Sequence, residues 1–278
     1  MSVPPLIENS FHFLVDLFFA RWPQPVPTLT KLQNCKIISH RGEHDNRTVI
    51  ENTMQAFDIA HEAGVWGIEF DIRWTKDLYP VVFHDQNLIR LFQINRKISE
   101  FSRNELQQAF PMIPTLSDVI QKYGKTLHLM VEIKEEAYPE PEYQNQVLKN
   151  HFSSLAPKKD FHILSLCPEM FSVLTFTHKS AFLPVSEMNF IRLSRMAFKN
   201  QYCGISGHYL FLSNRLLKKH RNIGQKTGTG FISSQNALFR ELNRGIDWIF
   251  SNHALKIQRI RNQWYDKSLR GKNNHPDG

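Results

Sequence analysis

Residues 36–72 read KIISHRGEHDNRTVIENTMQAFDIAHEAGVWGIEFDI, and this stretch decides the fold. A short isoleucine-rich run ends at Ser39, as a strand would. Met54, Phe57, Ala60 and Ala63 then recur at helical spacing up to Gly64, a residue suited to closing a helix. A second β-type run follows over residues 66–72. Strand, helix and strand in this order form a βα unit, which packs its helix on a parallel sheet.

The alternation continues along the chain. Strands are expected over residues 36–39, 66–72, 80–83, 127–133, 161–166, 181–185, 203–206, 230–233 and 246–250, one more than a (β/α)8 barrel needs. Helices are expected over 51–63, 116–123, 168–177, 214–221 and 236–244, the last closed by Gly245. The expected fold is α/β, a TIM (β/α)8 barrel in one domain. Residues 1–34 read as an N-terminal extension, 35–265 as the barrel and 266–278 as a polar tail.

The 278 residues are 41% hydrophobic and 22% charged, an ordinary globular composition. No stretch approaches the ~20 apolar residues of a bilayer-spanning helix. The apolar run at 11–20 carries His12 and Asp16 and lacks a basic flank and a small-residue cleavage site, so it is expected to stay in the mature chain. Cys35, Cys167 and Cys203 are widely spaced and odd in number, which fits a reducing compartment and predicts a cytoplasmic protein. A net charge of +8 favours an anionic partner: nucleic acid, a phospholipid surface or a phosphorylated small molecule. No zinc-finger, RNP or helix-turn-helix pattern accompanies the charge, so nucleic acid is not expected.

The chemistry-bearing residues gather at strand ends. Ser39-His40-Arg41-Gly42 follows the first strand, and in a barrel the C-terminal strand end is the active-site face. Glu69 and Asp71 stand two apart on the second strand and point to one side, with Phe70 to the other. Two inward carboxylates need a counter-charge, either a divalent cation or neighbouring Arg and Lys. Phe83-His84-Asp85 ends the next run, and Glu132-Ile133-Lys134 places a further acid and a lysine on one face.

These motifs, with Glu51-Asn52-Thr53, Thr75-Lys76-Asp77 and Ile113-Pro114-Thr115-Leu116, make the chain resemble the glycerophosphodiester phosphodiesterase family. The resemblance covers roughly residues 36–254. It implies hydrolysis of a small-molecule glycerophosphodiester to glycerol 3-phosphate and an alcohol. His40 and His84 would be the general acid and base, and Glu69, Asp71 and Glu132 would ligate one divalent cation. The hard oxygen set suits Mg²⁺ or Ca²⁺ better than zinc. Arg41 and Lys134 would contact the phosphate, Asn52 would orient a histidine or the substrate, and Phe231 would line the alcohol side. Glu51 has two readings, as part of the site or as an acid favoured at a helix N-terminus.

The chain departs from the family pattern in places. Leu78 stands where the turn usually has glycine, Phe231-Ile232-Ser233-Ser234 where Trp-Thr-Val-Asn is usual, and Ser251-Asn252 in place of Thr-Asp. The stretch between Asp85 and Ile113 is too short for the extra small domain of larger members, so an open pocket rim is expected. An open rim admits lysophospholipids. Residues 11–22 then have two readings, a helix covering the barrel or one in peripheral contact with a membrane surface. Other activities the barrel could carry are those of a lysophospholipase D or a phosphatidylinositol-type phospholipase, or non-catalytic binding of phosphodiesters. Oligomeric state is not legible.

Overall fold

Eight strands pair in parallel and close on themselves. The computed structural model describes residues 20–273, with side chains to residue 271, so most of the apolar 11–22 stretch lies outside the described residues. In chain order the strands are β1 (Ile37–His40), β2 (Gly67–Trp74), β3 (Pro80–Val82), β4 (Asn87–Leu88), β5 (Ile94–Lys97), β6 (His128–Ile133), β7 (Phe161–Ser165), β8 (Phe182–Ser186), β9 (Gly204–His208), β10 (Lys226–Gly230) and β11 (Trp248–Ser251). The barrel runs β1, β2, β6, β7, β8, β9, β10, β11 and back to β1, where Ile37 sits against Ile249 on one side and Ile38 against Gly67 on the other.

The helices are α1 (Leu29–Gln33), α2 (Met54–Glu62), α3 (Ile89–Phe92), α4 (Arg103–Ala109), α5 (Leu116–Tyr123), α6 (Pro141–His151), α7 (Phe190–Asn200), α8 (Asn214–Asn222), α9 (Gln235–Arg244) and α10 (Ala254–Asn273). Strand alternation sorts the side chains into two cores. Ile68, Phe70 and Ile72 of β2 and Leu129, Val131 and Ile133 of β6 point outward and pack with Phe57 and Ala60 of α2 and Val119 of α5. Ile38, Met130, Leu164, Leu183 and Trp248 fill the interior. Each such burial contributes roughly 1.5–3 kcal/mol. The same alternation turns Glu69, Asp71 and Glu132 inward, above that apolar layer.

Three expectations change. The run at 80–83 is no barrel strand: β3 folds back antiparallel on the upper part of β2, with Ile72 opposite Val82, which removes the ninth strand. The strand expected at 230–233 lies earlier in the chain, as β10, Lys-Thr-Gly-Thr-Gly. At Gly228 the interior has no room for a side chain: a Cβ there would lie 2.7 Å from Ser206 Oγ and 2.8 Å from Phe250. The helix expected at 168–177 is only a 3₁₀ turn over Pro168–Ser172.

Residues beyond β3 form a small satellite. Val81, Phe83, Leu88, Ile98, Phe101, Leu106 and Ile113 pack together over the β4–β5 hairpin, α3 and α4. The turn before β3 holds Leu78 at φ +54, stabilised by Thr75 Oγ1, which accepts from the Tyr79 amide at 2.9 Å. At the other end of the chain α10 runs into the segment read as a polar tail. Arg261 donates to the Leu32 and Gln33 carbonyls at 2.8 and 3.0 Å, closing the C-terminus of α1.

Candidate active site

The site is built where β1 stops. Arg41 takes φ +57 and Asn52 takes φ +58, conformations that cost a non-glycine residue about 1–3 kcal/mol and concentrate at functional sites. The two are tied together, since the Asn52 amide donates to the Arg41 carbonyl at 2.9 Å and the Arg41 amide donates to the Glu69 carbonyl at 2.8 Å. Gly42, at φ +76, lets this loop lie on the first turn of α2: a Cβ there would meet the Ala56 backbone at 2.7 Å. The loop thereby aims both side chains at β2.

Glu69, Asp71 and Glu132 converge inside the barrel mouth, with one carboxylate oxygen from each lying within 4.8 Å of the others. All three are buried. Lys134 Nζ bridges Asp71 Oδ1 at 2.7 Å and Glu132 Oε1 at 2.6 Å, and Arg41 Nε lies 3.3 Å from Asp71 Oδ2. Asn52 Nδ2 donates to Asp71 Oδ2 at 2.8 Å, so its amide is engaged with the triad. Burial alone would raise the Asp71 carboxyl, but Lys134 and Arg41 outweigh it and hold the group well below the usual carboxylate range. Glu69 goes the other way: burial, then Asp71 and Glu132, push it well above its ordinary value. Its Oε1 is buried with no hydrogen-bond partner among the described residues. Three hard oxygen donors, one of them orphaned, form a cage suited to a divalent cation.

Two imidazoles flank the cage. His40 Nδ1 lies 2.6 Å from Asn252 Oδ1, an acceptor, so Nδ1 carries the proton and Nε2 is left bare, 3.7 Å from Glu69 Oε2. Burial, then Arg41, lowers the His40 pKa to about 3, which keeps the ring neutral. His84 comes from the end of the antiparallel return, and its Nδ1 lies 2.6 Å from Asp85 Oδ1. Arg73 donates from Nε and Nη2 to the His84 carbonyl at 3.1 and 3.0 Å, fixing that backbone. Phe231, just past β10, sets its ring edge-on to His40 with centroids 5.3 Å apart.

Glu51 belongs to this assembly and not to a helix cap, because Thr53 caps α2 by accepting from the Ala56 amide. Its carboxylate takes Arg41 Nη1 at 3.1 Å, Asn46 Nδ2 at 2.7 Å and Arg90 Nη2 at 2.5 Å. Burial opposes the charge, but Arg90 and Arg41 lower the pKa to about 2. Arg90 also reaches Asp85 Oδ2 at 2.7 Å, linking the acid behind Arg41 to the acid behind His84. Sequence reasoning missed Arg90. It lies on the short α3 of the satellite, in no motif, and only the folded hairpin brings it back to Glu51.

Sequence comparison bears on the same residues. The model of the glycerophosphoryl diester phosphodiesterase family matches residues 40–197, from His40 past Lys134. The chain belongs to this family. A glycerophosphodiester phosphodiesterase of Caldanaerobacter subterraneus subsp. tengcongensis is 33% identical over 125 residues, 41% of this chain and 51% of that protein. The chain spans about half the length of the curated relatives it matches. Among solved structures, a glycerophosphodiester phosphodiesterase from Thermotoga maritima shares the barrel with a TM-score of 0.67 at 23% identity, over 81% of this chain and 98% of that one. An Oleispira antarctica phosphodiesterase in complex with the product sn-glycerol-3-phosphate has a TM-score of 0.65 at 20% identity, over 82% and 96%.

Proposed function

We propose that this family member hydrolyses glycerophosphodiesters to glycerol 3-phosphate and an alcohol, with one divalent cation, Mg²⁺ or Ca²⁺, held by Glu69, Asp71 and Glu132. The buried acid cage between Arg41 and Lys134, with its unpartnered Glu69 Oε1, carries this reading. The product bound by the Oleispira antarctica phosphodiesterase supports the substrate class. When bound, the cation supplies Lewis-acid stabilisation of charge on phosphoryl oxygens.

The chain's own residues do the rest. Arg41 presents a planar fork to the phosphate, already oriented by Glu51 and Asp71. Lys134 adds a point charge beside it. His40, neutral with Nε2 bare, takes the proton of the attacking hydroxyl, which is water, or is the glycerol 2-hydroxyl, forming a cyclic phosphate that water then opens to glycerol 3-phosphate. His84, oriented by Asp85, gives a proton to the leaving alcohol oxygen as the P–O bond breaks. Asn252, standing where the family has aspartate, keeps His40 in the tautomer this role needs.

A second reading, a lysophospholipase D acting where the barrel mouth meets a membrane surface, has one observation in its favour. Ring contacts run from His40 through Phe231, His208 and Phe211 to Phe190, with successive centroids 5.3, 6.5, 5.9 and 6.3 Å apart. Beyond them Met188 and Ile191 are 71% and 69% exposed, on the segments that follow the C-terminal end of β8. An acyl chain would lie along this track. No helix among the described residues is long and apolar enough to cross a membrane. The three cysteines are free, which supports a cytoplasmic setting.

The test is a screen of glycerophosphodiesters and lysophospholipids with added Mg²⁺ or Ca²⁺ and identification of the products. Glycerol 3-phosphate from the former supports the first reading. Lysophosphatidic acid from the latter with no turnover of the former supports the second, and no turnover of either class contradicts both.

A further inference from the structure

The barrel's other mouth carries a second set of convergent polar groups. Two clefts of about 570 Å³ each meet there along Lys36, Trp66 and Lys226. Lys36, Trp66, His128, Cys203, Lys226 and Trp248 all stand at or just before the first residue of a strand, and His162 is the second residue of β7, so this mouth is the N-terminal one. The interior layer of Ile38, Met130, Leu164 and Leu183 lies between it and the acid cage, and Glu132 stands four residues after His128, about 13 Å along β6. Nothing in the proposed hydrolysis uses it.

Hydrogen bonding fixes the state of its deepest groups. His128 Nδ1 lies 3.0 Å from the Lys159 carbonyl, which only accepts, so the proton is on Nδ1 and Nε2 is bare. His128 Nε2 lies 2.7 Å from His162 Nδ1, which must therefore donate. His162 Nε2 is left as a lone pair in a ring that lines the cleft beside Lys158 and Tyr202. Trp248, in the same lining and 3% exposed, has its indole N–H buried with no hydrogen-bond partner. The floor thus offers one acceptor that no described residue satisfies, beside an indole N–H too enclosed for a ligand to reach. Such groups cost free energy unless something pairs with them.

Charge surrounds this floor. Lys36 lies over Trp66 at 4.7 Å, and among the described residues neither it nor Lys158 has a carboxylate partner, whereas Lys226 pairs with Asp247 at 2.9 Å. Lys158 holds φ +70, a left-handed conformation that is uncommon for a residue with a Cβ. Phe198, Tyr202 and Ile223 supply apolar wall, and the volume is that of a pocket for an organic ligand and not for a bare ion.

We propose that this cleft binds a phosphomonoester of about nucleotide size. Lys36 and Lys158 meet its charge, and a phosphate O–H donates to His162 Nε2, beside Trp248, whose ring lines the cleft and reports on its occupancy. A phosphomonoester, with a second pKa near 6, carries both O–H and O⁻ forms at neutral pH, whereas sulfate and carboxylates lack the O–H. The recessed floor suits a free small molecule, since a phosphate fixed in a bilayer surface would not reach it.

The test follows the Trp248 indole N–H of the full chain by ¹H–¹⁵N NMR, assigned with Trp248→Phe, in buffer with excess chelator. AMP should shift this signal saturably, inorganic phosphate more weakly, and sulfate much less than phosphate. Lys158→Gln should weaken AMP binding about tenfold or more, as loss of a charge-assisted hydrogen bond would. Arg41→Lys, at the opposite mouth, should leave it unchanged. The proposal is overturned if AMP does not move the Trp248 signal, if sulfate matches phosphate, or if Arg41→Lys costs as much as Lys158→Gln. A response to phosphatidic acid vesicles equal to that for AMP would also overturn it.

Discussion

Lys134→Met removes the ammonium that holds the acid cage together without cation, and its cost can be worked from the contacts. Nζ lies 2.7 Å from Asp71 and 2.6 Å from Glu132, with the lysine side chain 7% exposed. At an effective dielectric near 20, each contact is worth roughly 6 kcal/mol of Coulomb energy before desolvation. Desolvation cancels much of that, and removing one partner of a buried ion pair leaves a net loss of about 3–5 kcal/mol. The variant keeps the volume of the stem, so packing contributes little. Urea unfolding in chelator should show that loss. Saturating Mg²⁺ or Ca²⁺ should return about 2.7 kcal/mol at a hundredfold excess over Kd, and the gain should exceed that of the native chain, whose lysine competes with the cation. Turnover should fall in either case, because the phosphate loses a contact. A variant within about 1 kcal/mol of the native chain in chelator, well short of the buried-pair range, would refute the reasoning.

Further outcomes follow from the same geometry. His40→Ala and His84→Ala should each lower turnover about 10²-fold or more, and an activated leaving group should rescue only His84→Ala, measured as kcat on the two substrate types. Phe231→Ala should redistribute rates among substrates with different alcohols and leave cation affinity nearly unchanged, which paired kinetics and metal titration would check. The buried His162 and His128, with pKa values lowered to about 3 and about 4 by burial, are neutral in the fold. The unfolded chain takes up their protons below about pH 6.5, so stability present above that pH is lost as pH falls toward 4, by up to about 1.4 kcal/mol per pH unit for each ring. His162→Phe should flatten this slope in urea unfolding measured between pH 7 and 4.

The parts of the fold that were legible are those whose side chains alternate strictly. Glu69, Phe70 and Asp71 announce a strand with one apolar face and one charged face, and β2 is that strand. The strand at 226–230 was not legible, because its Lys-Thr-Gly-Thr-Gly run shows no apolar β pattern and Gly228 is set by crowding inside the barrel. β3 was legible as a strand and not as an antiparallel one, since pairing direction depends on the turn at Leu78. At the site, motif residues on barrel strands were read directly. Arg90 and the partnership of Asn252 with His40 were not, because each joins segments far apart in sequence that only barrel closure or the satellite brings together.

The central claim, a cation-dependent hydrolysis at the acid cage, is tested most directly by ³¹P NMR of one sample of the full chain with glycerophosphoethanolamine. With Mg²⁺ or Ca²⁺ the diester signal should give way to glycerol 3-phosphate. It should persist when excess chelator is added and give way again when the cation is restored, while Asp71→Ala stays inactive throughout. Undiminished turnover in chelator, with residual metal verified as absent, would contradict the account.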